Sequence, residues 1–138
     1  MDNCIFCKIV RGEIPCTKIY EDEDILAFLD ISQTTIGHTL VITKEHFANF
    51  LFVPKDLIAK TFSAAQKVAQ ALTAGLGAKG INILNNTNEI AGQTVMHFHV
   101  HVIPRYSLED NIKLEFTPKR LEKLNLPQIA DNIVTNLK

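Results

Sequence analysis

Three histidines stand at alternate positions in the segment TVMHFHVHVIPR, residues 94–105: His97, His99 and His101. On an α-helix this spacing would turn the middle histidine away from the other two. On a β-strand all three share one face, with neighbours roughly 6.6 Å apart. The residues between them are aromatic or β-branched and favour strands. The pattern therefore predicts a β-strand with an apolar face toward the core and a histidine face opposite.

Two kinds of chemistry suit such a histidine face. A single metal ion held by all three is excluded, because His97 and His101 lie roughly 13 Å apart on an extended strand and zinc bonds are about 2 Å long. Two of them with a ligand from elsewhere remain an option. The other chemistry is nucleophilic attack by a neutral imidazole, with flanking donors that hold phosphate oxygens. The segment AGQT, residues 91–94, offers a glycine, an amide and a hydroxyl just upstream.

The chain has three cysteines: Cys4, Cys7 and Cys16. An odd number in a chain expected to lie in a reducing compartment argues against a disulfide framework. Cys4 and Cys7 have the C-x-x-C spacing of metal and redox sites, which by itself does not choose between the two. Because the pair precedes the strands and lies outside any βαβ unit, a thioredoxin-like redox role is disfavoured.

Length and composition narrow the class of protein. The 138 residues fit one domain, residues 1–138, and can bury a substantial core. With a net charge of -1 the chain lacks the basic footprint of nucleic-acid binding, so no nucleic-acid partner is expected. No apolar run approaches the ~18 residues of a membrane span, and the first ten residues lack a signal-peptide pattern. We therefore expect a cytoplasmic protein without a membrane partner.

Hydrophobic periodicity predicts an α+β fold in which a long helix packs on antiparallel strands. KIYEDEDILAFLDI predicts two strands joined by an acidic turn at residues 21–24, and GHTLVIT, GINILNN and the histidine segment predict three more. Residues 54–76 carry apolar side chains at three- and four-residue steps, which predicts an amphipathic helix stopped by Gly75 and Gly77. Short helices are predicted from Pro118 and over residues 128–137.

The segments CIFCKIVRGEIP, YEDEDILAFLDI, GHTLVITKEH and GQTVMHFHVHVIPR occur in the order and spacing typical of the histidine-triad (HIT) family. The chain resembles the Hint-like branch of this family, in its bacterial, zinc-bearing form, over residues 2–105. The tail, residues 106–138, carries no specific match. The resemblance implies the HIT fold, with about five antiparallel strands, a long helix and short C-terminal helices. It also implies a nucleotide hydrolase or transferase.

The resemblance assigns the phosphate chemistry to the histidine segment. The middle histidine, His99, would attack the α-phosphorus of a purine nucleotide and form a nucleotidyl-histidine that water hydrolyses. The catalytic set is completed by His101, His97 and Thr94. The implied phosphate-side or leaving-group contacts are Asn86, Gly92, Gln93, Thr94 and His101. Relatives often carry serine at the Thr94 position, so the hydroxyl is kept.

The nucleoside half maps by resemblance onto the amino-terminal strands. Asp30 would accept hydrogen bonds from the ribose hydroxyls, with Ile31 beside it. The implied apolar walls around the purine are Ile5, Phe6, Ile9 and Phe28. From residue type alone these walls fit a hydrophobic core equally well, and Asp30 fits a strand-ending turn.

The resemblance also explains the cysteine pair. Bacterial relatives bind zinc through two such cysteines and two histidines, which correspond here to Cys4, Cys7, His46 and His97. Two thiolates and two imidazoles form a closed tetrahedral set, which is typical of a structural zinc ion, one per chain, and not of a catalytic one. The alternative is a pair of buried thiols without a metal.

The implied reaction is cleavage of purine nucleoside phosphoramidates or adenylates, with release of AMP or GMP and no metal in the chemical step. Cleavage of dinucleoside polyphosphates is the alternative, because the same residues serve either leaving group. Two other classes remain: a nucleotide-binding regulatory module, and a metal-dependent hydrolase with His97 and His99 as ligands. Family members are usually homodimers that meet through the long helix and one strand edge. His38 matches a position next to the triad.

Overall fold

Five antiparallel strands form one sheet in the computed structural model, which describes residues 3–138. The strands are β1 Lys18–Glu21, β2 Ile25–Leu29, β3 Thr39–Thr43, β4 Gly80–Leu84 and β5 His99–Arg105. Their spatial order is β1-β2-β3-β5-β4, and every neighbouring pair is antiparallel. The predicted α+β fold is confirmed, because each predicted strand is present and a long helix packs on the sheet.

The described residues contain three α-helices and three short 3-10 turns. The helices are α1 Ile5–Val10, α2 Lys55–Leu76 and α3 Leu126–Val134, and the turns are Phe50–Phe52, Glu89–Ala91 and Leu121–Lys123. Helix α2 confirms the prediction for residues 54–76. Its C-cap is Gly77, which adopts a left-handed φ of 72° and donates its N–H to the Leu72 carbonyl, so the helix ends there and not at Gly75. Within residues 3–138, no helix combines the length and apolar character that crossing a bilayer requires.

Both faces of the sheet are covered, because side chains alternate along each strand. Helix α2 packs on one face, over a core that consists of Ile25, Ala27, Val41, Ala64, Ala65, Val68, Leu72, Ala78 and Val102. On the opposite face, α1 inserts Phe6 into a second cluster with Leu26, Phe28, Leu40 and Ile42. In the register of β3 and β5, His99 lies opposite Ile42 and His101 lies opposite Leu40. Directly opposed residues share a face, so both histidines lie on the α1 face.

Two local predictions are wrong. Residues 5–10 form helix α1, so the three apolar residues assigned to a nucleoside wall from this segment lie on a helix and not on a strand. The side chain of Cys4 begins this helix, since its Sγ accepts the N–H of Cys7 at 3.4 Å. The second correction concerns the histidine strand. Strand β5 begins at His99, and His97 lies in the bend before it, so only two of the three histidines share the strand.

The helices of the tail are shifted from their predicted positions. The segment after Pro118 forms only the 3-10 turn Leu121–Lys123, and α3 runs from Leu126 to Val134 instead of over residues 128–137. Asn125 caps α3 by accepting the N–H of Gln128, and Pro127 stands in its first turn. Proline is favoured there because its missing N–H has no intrahelical partner to lose.

Candidate active site

A cavity of about 390 Å³ opens between α1 and the sheet face on which His99 and His101 lie. Its volume is in the range of small-molecule sites, and such sites combine apolar walls with a few polar groups. The apolar lining consists of Ile5, Phe6, Ile9, Ile14, Pro15, Phe28, Leu29, Ile31, Leu40 and Val95. The remaining lining residues are Cys16, Asp30, Ser32, Thr94, His99 and His101. The arrangement suits a ligand with one flat apolar part and one polar part.

Most residues predicted to bind the nucleotide line this cavity: Ile5, Phe6, Ile9, Phe28, Asp30, Ile31, Thr94, His99 and His101. Those that do not line it are Asn86, Gly92 and Gln93, and His97 of the predicted catalytic set is also absent from the lining. Several lining residues were not predicted: Ile14, Pro15, Cys16, Leu29, Ser32, Leu40 and Val95. Ile14 and Pro15 could have been predicted, because they end the segment CIFCKIVRGEIP, which also contains the predicted wall residues Ile5, Phe6 and Ile9.

The side chain of Gln93 is hydrogen-bonded to the main chain through both its nitrogen and its oxygen. Its Nε2 donates to the carbonyls of Ala48 at 2.7 Å and Val95 at 2.9 Å, and its Oε1 accepts the N–H of Asn88 at 2.8 Å. Both amide hydrogens therefore have acceptors, and the side chain is buried. In this conformation Gln93 fastens the loop that precedes the histidines and does not present its amide to the cavity.

Gly92 and Asn86 lie against each other beside this loop. Gly92 has a φ of 101°, which favours glycine, and a Cβ there would lie 3.3 Å from Nδ2 of Asn86. The Asn86 amide donates to the Gly92 carbonyl at 3.4 Å. Both residues thus support the turn that leads to Thr94 at the cavity.

The main chain fixes the tautomer of His99. Its Nδ1 lies 2.7 Å from the carbonyl oxygen of His97, and a carbonyl can only accept, so Nδ1 carries the proton. The unprotonated nitrogen is then Nε2. Burial lowers the pKa of His99 below its usual value, although its hydrogen bond to the His97 carbonyl opposes the shift. The ring is therefore neutral at pH 7 and offers a nucleophilic lone pair at the cavity wall.

A second histidine pair sets the state of His101. The N–H of Thr34 donates to Nδ1 of His38 at 3.3 Å, which leaves the proton of a neutral His38 on Nε2. This Nε2 lies 2.9 Å from Nδ1 of His101 and donates to it. The proton of His101 then resides on its Nε2. His101 is thus prepared as a hydrogen-bond donor, as an anionic ligand in the cavity would require.

Asp30 lies in the cavity lining beside the His38–His101 pair. One carboxylate oxygen, Oδ1, accepts the N–H of Ser32 at 2.8 Å and so fixes the carboxylate after β2. The other, Oδ2, lies 3.6 Å from Nε2 of His38. A half-buried carboxylate with one oxygen left for further acceptance suits recognition of hydroxyl groups.

Asn85 positions the backbone of His99 and was not predicted. Its Nδ2 donates to the His99 carbonyl at 2.9 Å, and its Oδ1 accepts the hydroxyl of Thr87 at 3.1 Å. The family resemblance instead pointed to the neighbouring Asn86, as a contact to the phosphate. Nothing in the pattern NILNN distinguishes the two asparagines, because the distinction depends on how β4 ends beside β5.

The predicted metal ligands Cys4, Cys7, His46 and His97 converge, with their four ligand atoms within 4.8 Å of one another. The contacts include 3.3 Å between Cys4 Sγ and His97 Nδ1, 3.4 Å between Cys7 Sγ and His46 Nδ1, and 3.2 Å between the two Nδ1 atoms. Ligands bound tetrahedrally to zinc at ~2.0–2.3 Å lie roughly 3.3–3.8 Å apart. The buried His97 donates its Nε2 proton to the Thr43 carbonyl at 2.7 Å, so its Nδ1 lone pair faces the group. The residues therefore fit a tetrahedral metal.

Asp30, His38 and His101 form a second convergent group. Two imidazole nitrogens bound to one zinc ion would lie roughly 3.3 Å apart. The 2.9 Å between His38 Nε2 and His101 Nδ1 is instead a hydrogen-bond distance, and the shared proton occupies the lone pair that a metal would need. His99 belongs to neither group, so the geometry gives no support to a catalytic metal held by His97 and His99.

We expect the free energy of unfolding to decrease as the pH falls from 6.5 to about 4. Burial, with the neighbouring His99 and His38, lowers the pKa of His101 from 6.5 to about 4. Between these values the unfolded chain takes up a proton that the folded chain does not, so acid favours unfolding. The contribution is at most about 3 kcal/mol, is complete above pH 6.5 and is lost near pH 4.

Urea titrations across this pH range check the expectation, with His101→Gln as the comparison. The variant should show a shallower pH dependence than the wild type, by about one proton. Parallel dependences would contradict the assignment to His101.

The sequence matches the family model of the HIT domain over residues 11–108. Among curated proteins, Protein hit of Bacillus subtilis (strain 168) is 52% identical over 109 residues, which cover 79% of this chain and 75% of that protein. The adenosine 5'-monophosphoramidase hnt1 of Schizosaccharomyces pombe is 36% identical over 136 residues, 99% of both chains. The adenylylsulfatase HINT3 of Arabidopsis thaliana is 38% identical over 104 residues, which cover 75% of this chain and 53% of that protein.

Solved structures agree with the sequence matches. A HIT family protein from Bacillus anthracis superimposes with a TM-score of 0.93 at 46% identity, over 99% of both chains. A HIT family member from Bacillus subtilis gives 0.92 at 44% identity, over 99% of this chain and 98% of that one. A zinc-bound histidine triad protein from Mycobacterium smegmatis gives a TM-score of 0.76 at 38% identity, over 98% of this chain and 99% of that chain. With its sheet, histidine segment and matched residues, this chain belongs to the HIT family.

Proposed function

We propose that the protein is a nucleotide hydrolase that cleaves purine nucleoside phosphoramidates or adenylates through a covalent nucleotidyl-histidine on His99. One observation carries the proposal. The His97 carbonyl holds the Nδ1 proton of a neutral His99, which leaves the Nε2 lone pair available for attack in a cavity of about 390 Å³. The names of the Schizosaccharomyces and Arabidopsis relatives, a monophosphoramidase and an adenylylsulfatase, support the same class of reaction.

In the first step, Nε2 of His99 attacks the α-phosphorus, forms a nitrogen–phosphorus bond and displaces the amine. The amine leaves with a proton taken from the donors around it or from water. His101, with its proton on Nε2, donates to a phosphate oxygen as charge accumulates there. The Thr94 hydroxyl, also in the cavity lining, donates to the phosphate or to the leaving group. In the second step, water attacks phosphorus, the bond between His99 Nε2 and phosphorus breaks, and AMP or GMP departs. The proton that the water loses passes to solvent, and His99 returns to its neutral form with its proton on Nδ1.

The test is release of AMP from adenosine 5'-phosphoramidate, combined with intact-mass analysis of enzyme quenched within the first turnover. We expect rapid release and a transient adenylyl adduct on the peptide that contains His99. Diadenosine tetraphosphate, assayed in parallel, distinguishes an amine from a phosphate leaving group. If neither substrate is cleaved although AMP binds, the chain acts as a nucleotide-binding module and the proposal is wrong.

On the nucleoside side, the same proposal assigns the purine to the apolar walls and the ribose to Asp30. We expect Asp30→Asn to weaken AMP binding about tenfold or more, because hydrogen bonds to a charged acceptor contribute about 1.5–3 kcal/mol. Binding of 2',3'-dideoxy-AMP should change little, since it lacks the hydroxyls. Isothermal titration calorimetry with both nucleotides checks this. If Asp30→Asn weakens the binding of AMP and of 2',3'-dideoxy-AMP equally, Asp30 does not bind the ribose hydroxyls.

The four Cys and His ligands are proposed to hold one structural zinc ion per chain. The support is the fit of their distances to a tetrahedral set and the zinc-bound neighbour from Mycobacterium smegmatis. Zinc bound there would cross-link α1 to the segment that precedes β5. The proposed nucleophile does not require it, because the proton of His99 is held by the main chain.

A cytoplasmic homodimer is the remaining part of the proposal. Edge strand β4 leaves its outer side unpaired in the described sheet, and Ile83 on it is exposed. An exposed strand edge with an apolar side chain is suited to pairing with another chain. The proposed partner is a second copy of this protein, with no nucleic-acid or membrane partner.

A further inference from the structure

The turn between β4 and the histidine segment contains a strained residue. Asn88 has a φ of 71° and a ψ of 158°, a backbone region that glycine occupies almost exclusively. Within residues 3–138, every other residue with a positive φ is a glycine. Such a conformation persists only where the surrounding contacts impose it, and it occurs most often at functional sites. The contacts of Asn88 therefore indicate what this turn, residues 88–93, holds in place.

Four hydrogen bonds impose the conformation of Asn88. Its N–H donates to Oε1 of Gln93 at 2.8 Å, and its carbonyl accepts the N–H groups of Ala91 and Gln93, both at 3.1 Å. The fourth bond comes from outside the turn, because Nδ2 of Asn49 donates to Oδ1 of Asn88 at 3.3 Å. The turn is thus closed on itself and attached to a distant part of the chain.

Asn49 is a firm point of attachment. Its side chain is buried, and its Oδ1 accepts the N–H of Leu51 at 2.9 Å, so it caps the 3-10 turn that precedes α2. The preceding residue, Ala48, accepts the side-chain amide of Gln93 through its carbonyl. Residues 48 and 49 therefore hold the last and the first residue of the 88–93 turn.

The residue that follows this turn is Thr94, which lines the nucleotide cavity. Thr94 is exposed, and within residues 3–138 its hydroxyl makes no hydrogen bond that would fix it there. The position of the hydroxyl is consequently determined by the backbone that carries it. That backbone is the end of the 88–93 turn.

We propose that Asn49 and Asn88 are positioning residues, which place the Thr94 hydroxyl against the reacting phosphate group. This inference rests on the proposed function, in which Thr94 donates to the phosphate or to the leaving group. The strain at Asn88 makes the placement depend on Asn49, because without that bond the backbone of Asn88 can relax to an ordinary conformation and displace the end of the turn. A displacement of ~1 Å in a positioned group can slow a reaction about a hundredfold.

A double-mutant cycle with Thr94→Ala tests whether Asn49 acts through Thr94. In Asn49→Ser the hydroxyl can still cap the turn before α2, but it is too short to reach Asn88. Asn49→Ser should lower kcat for AMP release from adenosine 5'-phosphoramidate about tenfold in the wild-type background and less than about twofold in the Thr94→Ala background. The Kd for AMP should stay within about threefold, since the cavity walls are unchanged.

Equal losses of kcat in the two backgrounds would overturn the proposal, because Asn49 would then act on something other than Thr94. No loss in the wild-type background would overturn it as well. Glu89→Gln is the matched control, since Glu89 is exposed in the same turn, and it should keep the wild-type kcat. If Asn49→Ser does not fold, Asn88→Gly takes its place in the cycle, because glycine adopts this conformation without strain but cannot accept the Asn49 amide.

Amide hydrogen exchange over residues 89–94 tests the hold on the turn without any reaction. Exchange should become at least about fivefold faster in Asn49→Ser and stay within about twofold of the wild type in Glu89→Gln. Unchanged exchange in Asn49→Ser would overturn the proposal whatever the activity. If the wild type releases no AMP, the proposed function fails, and the exchange rates alone decide whether Asn49 holds the turn that carries Thr94.

Discussion

Replacing His99 with asparagine should reduce AMP release from adenosine 5'-phosphoramidate by on the order of 10⁴-fold or more. The asparagine side chain has an amide N–H near the position of Nδ1, so it can keep the bond to the His97 carbonyl. It has no lone pair corresponding to Nε2, and the covalent step disappears with it. A 10⁴-fold loss corresponds to about 5.5 kcal/mol of barrier.

Asparagine is a sharper test than alanine, because His99 is buried and its ring packs edge-on against Phe6 at a centroid distance of 5.1 Å. Alanine would leave a cavity against the wall of the site and would also remove the hydrogen bond to the main chain. His99→Ala is therefore the second variant, with free imidazole added to restore part of the activity.

Binding and folding must be followed alongside the rate. His99→Asn should bind AMP within about threefold of the wild type, since the apolar walls and Asp30 are intact. Its melting temperature should stay within a few degrees. A variant that binds AMP, folds normally and still releases AMP at the wild-type rate would show that the nucleophile is another group.

The sheet and α2 were predictable because each has an internal period. The apolar run of β2, the alternation in β5 and the three- and four-residue steps of α2 depend on neighbours close in sequence. Burial of Phe98 and Val100 follows from the same alternation, and both are fully buried. Convergence of the predicted metal ligands followed from the family resemblance and not from any period.

Other features depend on contacts distant in sequence, and they escaped prediction. Helix α1 is six residues long and rich in β-branched residues, so it reads locally as a strand. It exists because Cys4 caps it and Phe6 packs on the sheet. His97 lies outside β5 because its ring donates to Thr43, 54 residues earlier in the chain. The side-chain amide of Gln93 donates to the carbonyl of Ala48, 45 residues earlier in the chain, and a local sequence pattern does not reveal such a contact.

Removing one proposed metal ligand should weaken nucleotide binding much more than it slows the chemical step. The variant of choice is His46→Asn, because His46 contacts Cys7 and His97 but does not line the nucleotide cavity. Any effect on the nucleotide must then pass through the metal group. That group contains Cys4 and Cys7, which begin α1 and lie within it, and α1 supplies one wall of the cavity.

The expected size follows from what holds α1 in place. A six-residue helix has little stability of its own, so without the metal its position depends on the packing of Phe6, Ile9 and Val10 against the sheet. We expect KM for the phosphoramidate and Kd for AMP to rise at least tenfold. The kcat should stay within a few-fold, because the carbonyl of His97 still holds the Nδ1 proton of His99. Amide exchange over residues 5–10 should accelerate.

The folded state should also lose stability. A ligand at a thousand times its Kd stabilises the folded state by about 4 kcal/mol, so loss of zinc should lower the melting temperature by about 10 °C or more. Metal analysis of the purified variant and chelation of the wild type should give matching shifts. Cys16→Ala is the matched control for metal content and melting temperature, since Cys16 lies outside the metal group.

The decisive comparison is between metal content and AMP affinity in His46→Asn. Loss of zinc with weakened AMP binding and retained kcat would mean that the metal positions the nucleoside wall while the main chain positions the nucleophile. Loss of zinc with unchanged AMP affinity would mean that the apolar packing of α1 on the sheet holds the helix without the metal. Loss of kcat at saturating substrate would instead connect the metal to His99, since the imidazole of His97 is a proposed ligand and its carbonyl holds the His99 ring.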